Sequence, residues 1–311
     1  MDLISNTHKR LLWCLVGGVA FLLVALMVIG SFWDYQIAHA FTAPHRGVAY
    51  FAFGMTFEVL GFVTAIMVNV SLFAALSVFV KRKWLKILFH VLTAMTLIGA
   101  VYAGVFWTLS NHGFGVRSFI AAPISTAIGV ALSFPTIMLF KRLNNVKLRR
   151  IIYILAIGAV LGSIANSVSG VMQLFWGRYR FFEVYENGLP FTQWFQPFGR
   201  SSAAEGHGAT SFPSLHATSV VSTITLVLAG WALMVKRPTA IVFAVTTAIL
   251  LVCVPVSRMV LGWHYLTDVT FSLIIGLVAF VIAVLVIDKA FGSKFKNFIN
   301  KDEEVANGSE E

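Results

Sequence analysis

Apolar residues recur along the chain in eight long runs, near 11–32, 51–80, 85–109, 118–140, 151–172, 214–235, 239–256 and 265–287. Each is long enough, or nearly so, to cross a bilayer as a helix of about 20 residues. The pattern predicts an all-α membrane protein, a polytopic helical bundle with about eight transmembrane helices. An even number of crossings puts both termini on one side. The first connector, Trp33 to Tyr50, reads as an interfacial loop carrying Asp34, His39, His45 and Arg46, with its Trp and Tyr at headgroup level. The longest polar stretch is about 173–213. After Asp288, Phe291, Phe295, Phe298 and Ile299 are spaced with lysines between them, as in an amphipathic helix lying on headgroups. An acidic, disordered end follows Asp302. The expected organisation is one membrane domain over 1–288 and a tail over 289–311.

Composition agrees. With 58% hydrophobic and 12% charged residues, the chain is too apolar for a soluble domain of 311 residues. The first run is longer than a signal-peptide core and is expected to be retained. Cys14 and Cys253 both sit in apolar runs and imply neither a disulfide framework nor a cysteine metal site. The net charge of +10 is explained by where it lies. Seventeen of the 23 Lys and Arg residues cluster at Lys9–Arg10, Lys81–Lys86, Lys141–Arg150, Lys236–Arg237 and Lys289–Lys301, all on the face that holds the termini. By the positive-inside rule that face is cytoplasmic, so the charge sets topology and does not mark a nucleic-acid partner. The other six are arginines assigned to the outer face: Arg46, Arg117, Arg178, Arg180, Arg200 and Arg258. Glu58, inside an apolar run, needs a partner, and an ion pair or hydrogen bond is its simplest explanation.

Three polar clusters fall on the outer side: Gln173-x4-Arg178-x-Arg180, Pro213-Ser214-Leu215-His216, and Ser257-Arg258-x5-His264-x3-Asp268. If a helix runs from about Trp263, His264 and Asp268 share one face. The carboxylate could then accept a proton from one imidazole nitrogen and leave the other as nucleophile. Ser214 opens an apolar run, where helix-start amides attract anions, although serine there is commonly a simple cap. Arginines, a hydroxyl, amides and two histidines fit phosphoryl transfer through a phosphohistidine. The acidic residues do not cluster as for magnesium, nor are the histidines spaced as for zinc, so no metal or other cofactor is expected. Arginine would neutralise the charge.

These residues, with Gly177-Arg178-x-Arg180 upstream, resemble the type 2 phosphatidic acid phosphatase (PAP2) superfamily of integral-membrane lipid phosphatases. Its pattern is Lys-x6-Arg-Pro, then Pro-Ser-Gly-His, then Ser-Arg-x5-His-x3-Asp. The resemblance covers about 173–268, within an expected catalytic core of about 151–288. It implies that His264 is the nucleophile oriented by Asp268, that His216 is the acid/base, and that Arg180, Arg258 and Ser214 hold the phosphate. Gln173 stands at the motif lysine, Phe181 at the motif proline and Leu215 at the motif glycine. Arg178 is expected to make up for the missing lysine, and the amide of Leu215 to serve as the glycine's would. The resemblance also implies a bacterial plasma membrane, with the site on the outer face. The expected partners are a phosphorylated polyprenyl or glycerolipid substrate and membrane lipids, with no obligatory protein partner. A phosphotransferase, a lipid transporter and an inactive binding relative are the alternatives.

Overall fold

The computed structural model describes residues 6–42, 47–111, 118–197 and 208–307. The described residues form helices α1 (Asn6–Phe41), α2 (Val48–Phe79), α3 (Lys83–Val101), α4 (Thr108–Asn111), α5 (Ser118–Lys141), α6 (Asn145–Trp176), α7 (Phe181–Asn187), α8 (Leu215–Ser219), α9 (Ile224–Ala232), α10 (Arg237–Val260) and α11 (Leu266–Asn307). A π-helical turn, Tyr102–Trp107, joins α3 to α4, and a 3₁₀ turn, Val220–Thr223, joins α8 to α9. Among the described residues, eight candidate spans are long and apolar enough to cross a membrane, matching the eight runs of the sequence. The chain is an all-α polytopic membrane protein.

Helix ends follow local chemistry. Asn144 caps α6 by accepting from the Lys147 backbone N–H at 2.9 Å, and Gly177 closes that helix in the left-handed conformation. The main core joins α6, α9 and α11 through Ile154, Ile157, Leu161, Leu228 and Phe280. Helix α2 packs on α6 and α10, α1 lies along α11, and α3 and α5 form a pair set against α2. At Gly30 a Cβ would stand 2.6 Å from Thr267 Cγ2, so glycine lets α1 approach α11 closely enough for Asp34, four residues on, to reach it.

Three expectations change. The stretch after Trp33 is not a surface loop: helix continues to Phe41, and Asp34 is buried because it answers a buried arginine. His45 and Arg46, like Arg117 and Arg200, lie outside the described residues. His264 precedes the last helix, which starts at Leu266, so His264 and Asp268 do not share a helical face. That same helix continues through Asn307, so residues 302–307 extend it and do not form a disordered end.

Candidate active site

Arg178 turns out to be the centre of the buried polar network. Its Nε donates to the Thr192 carbonyl at 3.0 Å, Nη1 to Thr267 Oγ1 at 2.8 Å and Asp268 Oδ1 at 2.5 Å, and Nη2 to Asp34 Oδ2 at 2.8 Å. The guanidinium lies 4.1 Å over the Tyr265 ring. It is 1% exposed and does not line the cavity described below. Arg178 thus stands apart from the cavity where a phosphate contact is expected: two carboxylates and a ring already use this cation, and it anchors Asp268 from behind. Asp34 also accepts the Thr267 backbone N–H at 3.0 Å and its hydroxyl, fastening α1 to the start of α11.

Asp268 Oδ2 accepts the Tyr265 backbone N–H at 2.9 Å and the Ser211 hydroxyl at 2.5 Å. It thereby satisfies an orphan donor at the start of α11, as a capping-box acid does. Its distance to His264 Nδ1 is 3.7 Å, too long for a direct hydrogen bond. The Nδ1 partner is the Ser211 carbonyl at 2.6 Å. Because a carbonyl only accepts, Nδ1 must carry the proton and Nε2 is the unprotonated nitrogen. A backbone oxygen, in place of the expected carboxylate, is what sets this tautomer. Burial pushes the His264 pKa down to about 4, an effect that the Asp268 carboxylate opposes and Arg258 and Arg180 reinforce.

His264 lines a cavity of about 530 Å³ together with Glu58, Phe62, Asn166, Gln173, Arg180, Thr210, Leu215, His216, Arg258 and Trp263. The three sequence clusters thus meet at one place. Arg180 Nη2 donates to Thr210 Oγ1 at 3.0 Å, and its guanidinium lies 4.3 Å over the Trp263 ring. Arg258 lies 5.4 Å from the same ring, with Nη1 2.8 Å from Glu58 Oε1. Both cations thus lie against the one Trp263 ring. His216 meets the edge of Phe62 at 4.6 Å, and its buried Nε2 has no hydrogen-bond partner among the described residues. A Cβ on Gly61 would stand 2.7 Å from Val254 Cγ1 and 3.5 Å from His216, so α2 is pressed directly onto the His216 side chain.

Ser214 does not cap its helix through its hydroxyl. The buried Oγ lacks a partner among the described residues, and its backbone N–H is taken by Ser272 Oγ at 2.7 Å. The cavity wall begins one residue later, at Leu215. Gln173, at the motif lysine position, lines the cavity but donates to the Pro213 carbonyl at 2.6 Å and brings no charge. Sequence reasoning did not single out Ser211, Trp263, Thr210 or Asp34 as site residues. Ser211 could have been found from Thr210-Ser211-Phe212 directly before Pro213-Ser214, and Trp263 from its place beside His264.

Residues 147–291 match the family model of the PAP2 superfamily. This segment is similar to the PAP2 superfamily. It contains every cluster above, whereas Asp34, Glu58, Gly61 and Phe62 come from α1 and α2, outside the PAP2 match. Comparison with curated proteins gives no match, and comparison with solved structures gives none. The PAP2 superfamily is one of phosphatase or phosphotransferase-type chemistry on phosphorylated lipids, and the match fits a cavity holding two arginines and two histidines.

Proposed function

We propose that the protein hydrolyses a lipid phosphate through a phosphohistidine on His264. The observation that carries this is the Nδ1–carbonyl hydrogen bond of His264, in a cavity shared with Arg180, Arg258 and His216. The phosphate sits against the two guanidiniums and the first amides of α8, at Leu215 and His216. Nε2 of His264 attacks phosphorus while the bond to the leaving alkoxide breaks. The resulting imidazolium keeps its Nδ1–H on Ser211, and the Asp268 charge 3.7 Å away stabilises it. His216 protonates the alkoxide, then takes a proton from the water that cleaves the phosphohistidine. Arg180 and Arg258 neutralise the developing charge in place of a metal. The lipid tail lies against the apolar wall of Phe62 and Gly170, between α2 and α6. The catalytic core is residues 151–288, with the site on the outer face of the membrane. This sidedness is supported by the direction of the helices. Helices α1, α2, α6, α10 and α11 reach the site with the end opposite their Lys/Arg-flanked end.

Purified protein in detergent, supplied with a panel of polyprenyl and glycerolipid phosphates, is expected to release inorganic phosphate from at least one of them. His264→Ala should abolish that release, and His216→Ala should slow it by about 10²–10⁴-fold. Labelled phosphate recovered on an acceptor hydroxyl instead of in solution would establish transfer in place of hydrolysis. No release by a folded wild-type protein would remove the hydrolase reading.

A further inference from the structure

The cavity is poor in positive charge for a phosphate site. Its ionisable lining is Arg180, Arg258, Glu58, His216 and His264. Arg178 is spent behind the wall on two carboxylates, and the polar residue at the motif lysine position is the neutral Gln173. With His216 carrying the proton that it delivers to the leaving group and His264 neutral, the formal sum is +2, from two arginines and one imidazolium against one glutamate. Glu58 is only 4% exposed along its side chain and sits 2.8 Å from Arg258, so its charge is fixed at the place where phosphate oxygens would bind. It is delivered by α2, a helix that also presses Gly61 and Phe62 against His216.

We infer that Glu58 is a specificity-determining residue that restricts the headgroup to a single phosphate and discriminates against a diphosphate. This rests on the hydrolase reading of the same site. A phosphomonoester carries between one and two negative charges near neutral pH. Two guanidiniums can meet that charge while Arg258 still shares Glu58. A diphosphate adds about one further charge, which the cavity has no spare cation to answer. That charge would enter a cavity already lined by the Glu58 carboxylate. At an effective dielectric near 20, such a repulsion weakens binding on the order of tenfold to a hundredfold. The rejection of the wrong headgroup is thus built from a repulsive element, as specificity commonly is.

Binding of inert analogues separates this from any difference in leaving-group chemistry. The full-length protein in detergent is titrated calorimetrically with an alkyl phosphonate and an alkyl methylenediphosphonate of the same chain length. Wild type is expected to bind the phosphonate at least about tenfold more tightly, and Glu58→Gln to reduce that ratio by about tenfold or more. Glu58→Asp, which keeps the charge, should retain the wild-type preference, and the wild-type ratio remains decisive if Glu58→Gln fails to fold. A wild type that prefers the diphosphonate overturns the inference. So does a ratio that is indifferent to Glu58→Gln in a protein still hydrolysing lipid phosphate, and in that case the hydrolase reading stands. Binding of neither compound overturns both.

Discussion

His264 Nδ1 lies 2.6 Å from the carbonyl oxygen of Ser211, a residue 53 positions earlier, and 3.7 Å from the Asp268 carboxylate. The backbone fixes which imidazole nitrogen is protonated, and the acid acts at one remove. Asp268 holds the Ser211 hydroxyl, the Tyr265 amide and Arg178, and through Ser211 it holds the carbonyl that holds the histidine.

Asp268→Asn is therefore expected to keep the productive tautomer. Where a carboxylate alone sets the tautomer, the equivalent change costs about 10⁴ in kcat. Here the loss should be nearer 10²-fold, from weaker stabilisation of the imidazolium. Stability should fall by about 3–5 kcal/mol, because Arg178 loses one of its buried partners. Paired kcat and denaturation measurements test this. A kcat loss as complete as that of His264→Ala, with unchanged stability, would contradict it.

Arg178 and Arg180, two positions apart, should separate cleanly. Arg178→Lys cannot hold Asp34 and Asp268 in one planar fork, so the melting temperature should fall while inorganic phosphate still inhibits the remaining active enzyme with an unchanged constant. Arg180→Gln should instead weaken phosphate inhibition by about 1.5–3 kcal/mol, the worth of one charge-assisted hydrogen bond, with a smaller thermal shift. Inhibition constants and melting curves on the two variants decide it. Weakened phosphate binding in Arg178→Lys would return that residue to the cavity.

The low pKa of His264 sets the direction of its pH dependence. Held to about 4 by burial against an ordinary 6.5, the imidazole stays unprotonated until pH approaches 4. The unfolded chain binds this proton more readily than the folded one between those values. The stability contributed by neutral His264 is thus fully present above pH 6.5 and is lost as pH falls from there toward 4. The His264→Gln variant should show a shallower decline of melting temperature over that window. An identical decline would assign the loss to other groups.

The sequence made the architecture and the clusters legible, and the reasons are physical. Eight apolar runs can only be satisfied by helices in a bilayer, and by the positive-inside rule the lysine clusters between them predict the direction of each. Arg180, His216, Arg258 and His264 could be assembled from spacing because each lies at a helix end or immediately beside one. The ion pair of Arg178 is not legible locally, because nothing beside it in the sequence shows that Asp34, 144 positions away, is its partner. The same holds for the Ser211 carbonyl, since every residue has one and side-chain patterns do not report where it points. Glu58 was readable only as a buried acid needing a partner, and the tertiary packing of α2 on α10 supplies Arg258 as that partner.

The account depends most on His264 carrying the phosphoryl group. Rapid quenching of His216→Ala with a labelled lipid phosphate, followed by peptide mass spectrometry, tests it directly. The expected result is a phosphoryl group on His264 that forms more slowly than in wild type but persists because water is no longer activated, and that is absent from His216→Ala/His264→Gln. Turnover with no phosphorylated His264 at any time point, or phosphate found on another residue, would contradict it.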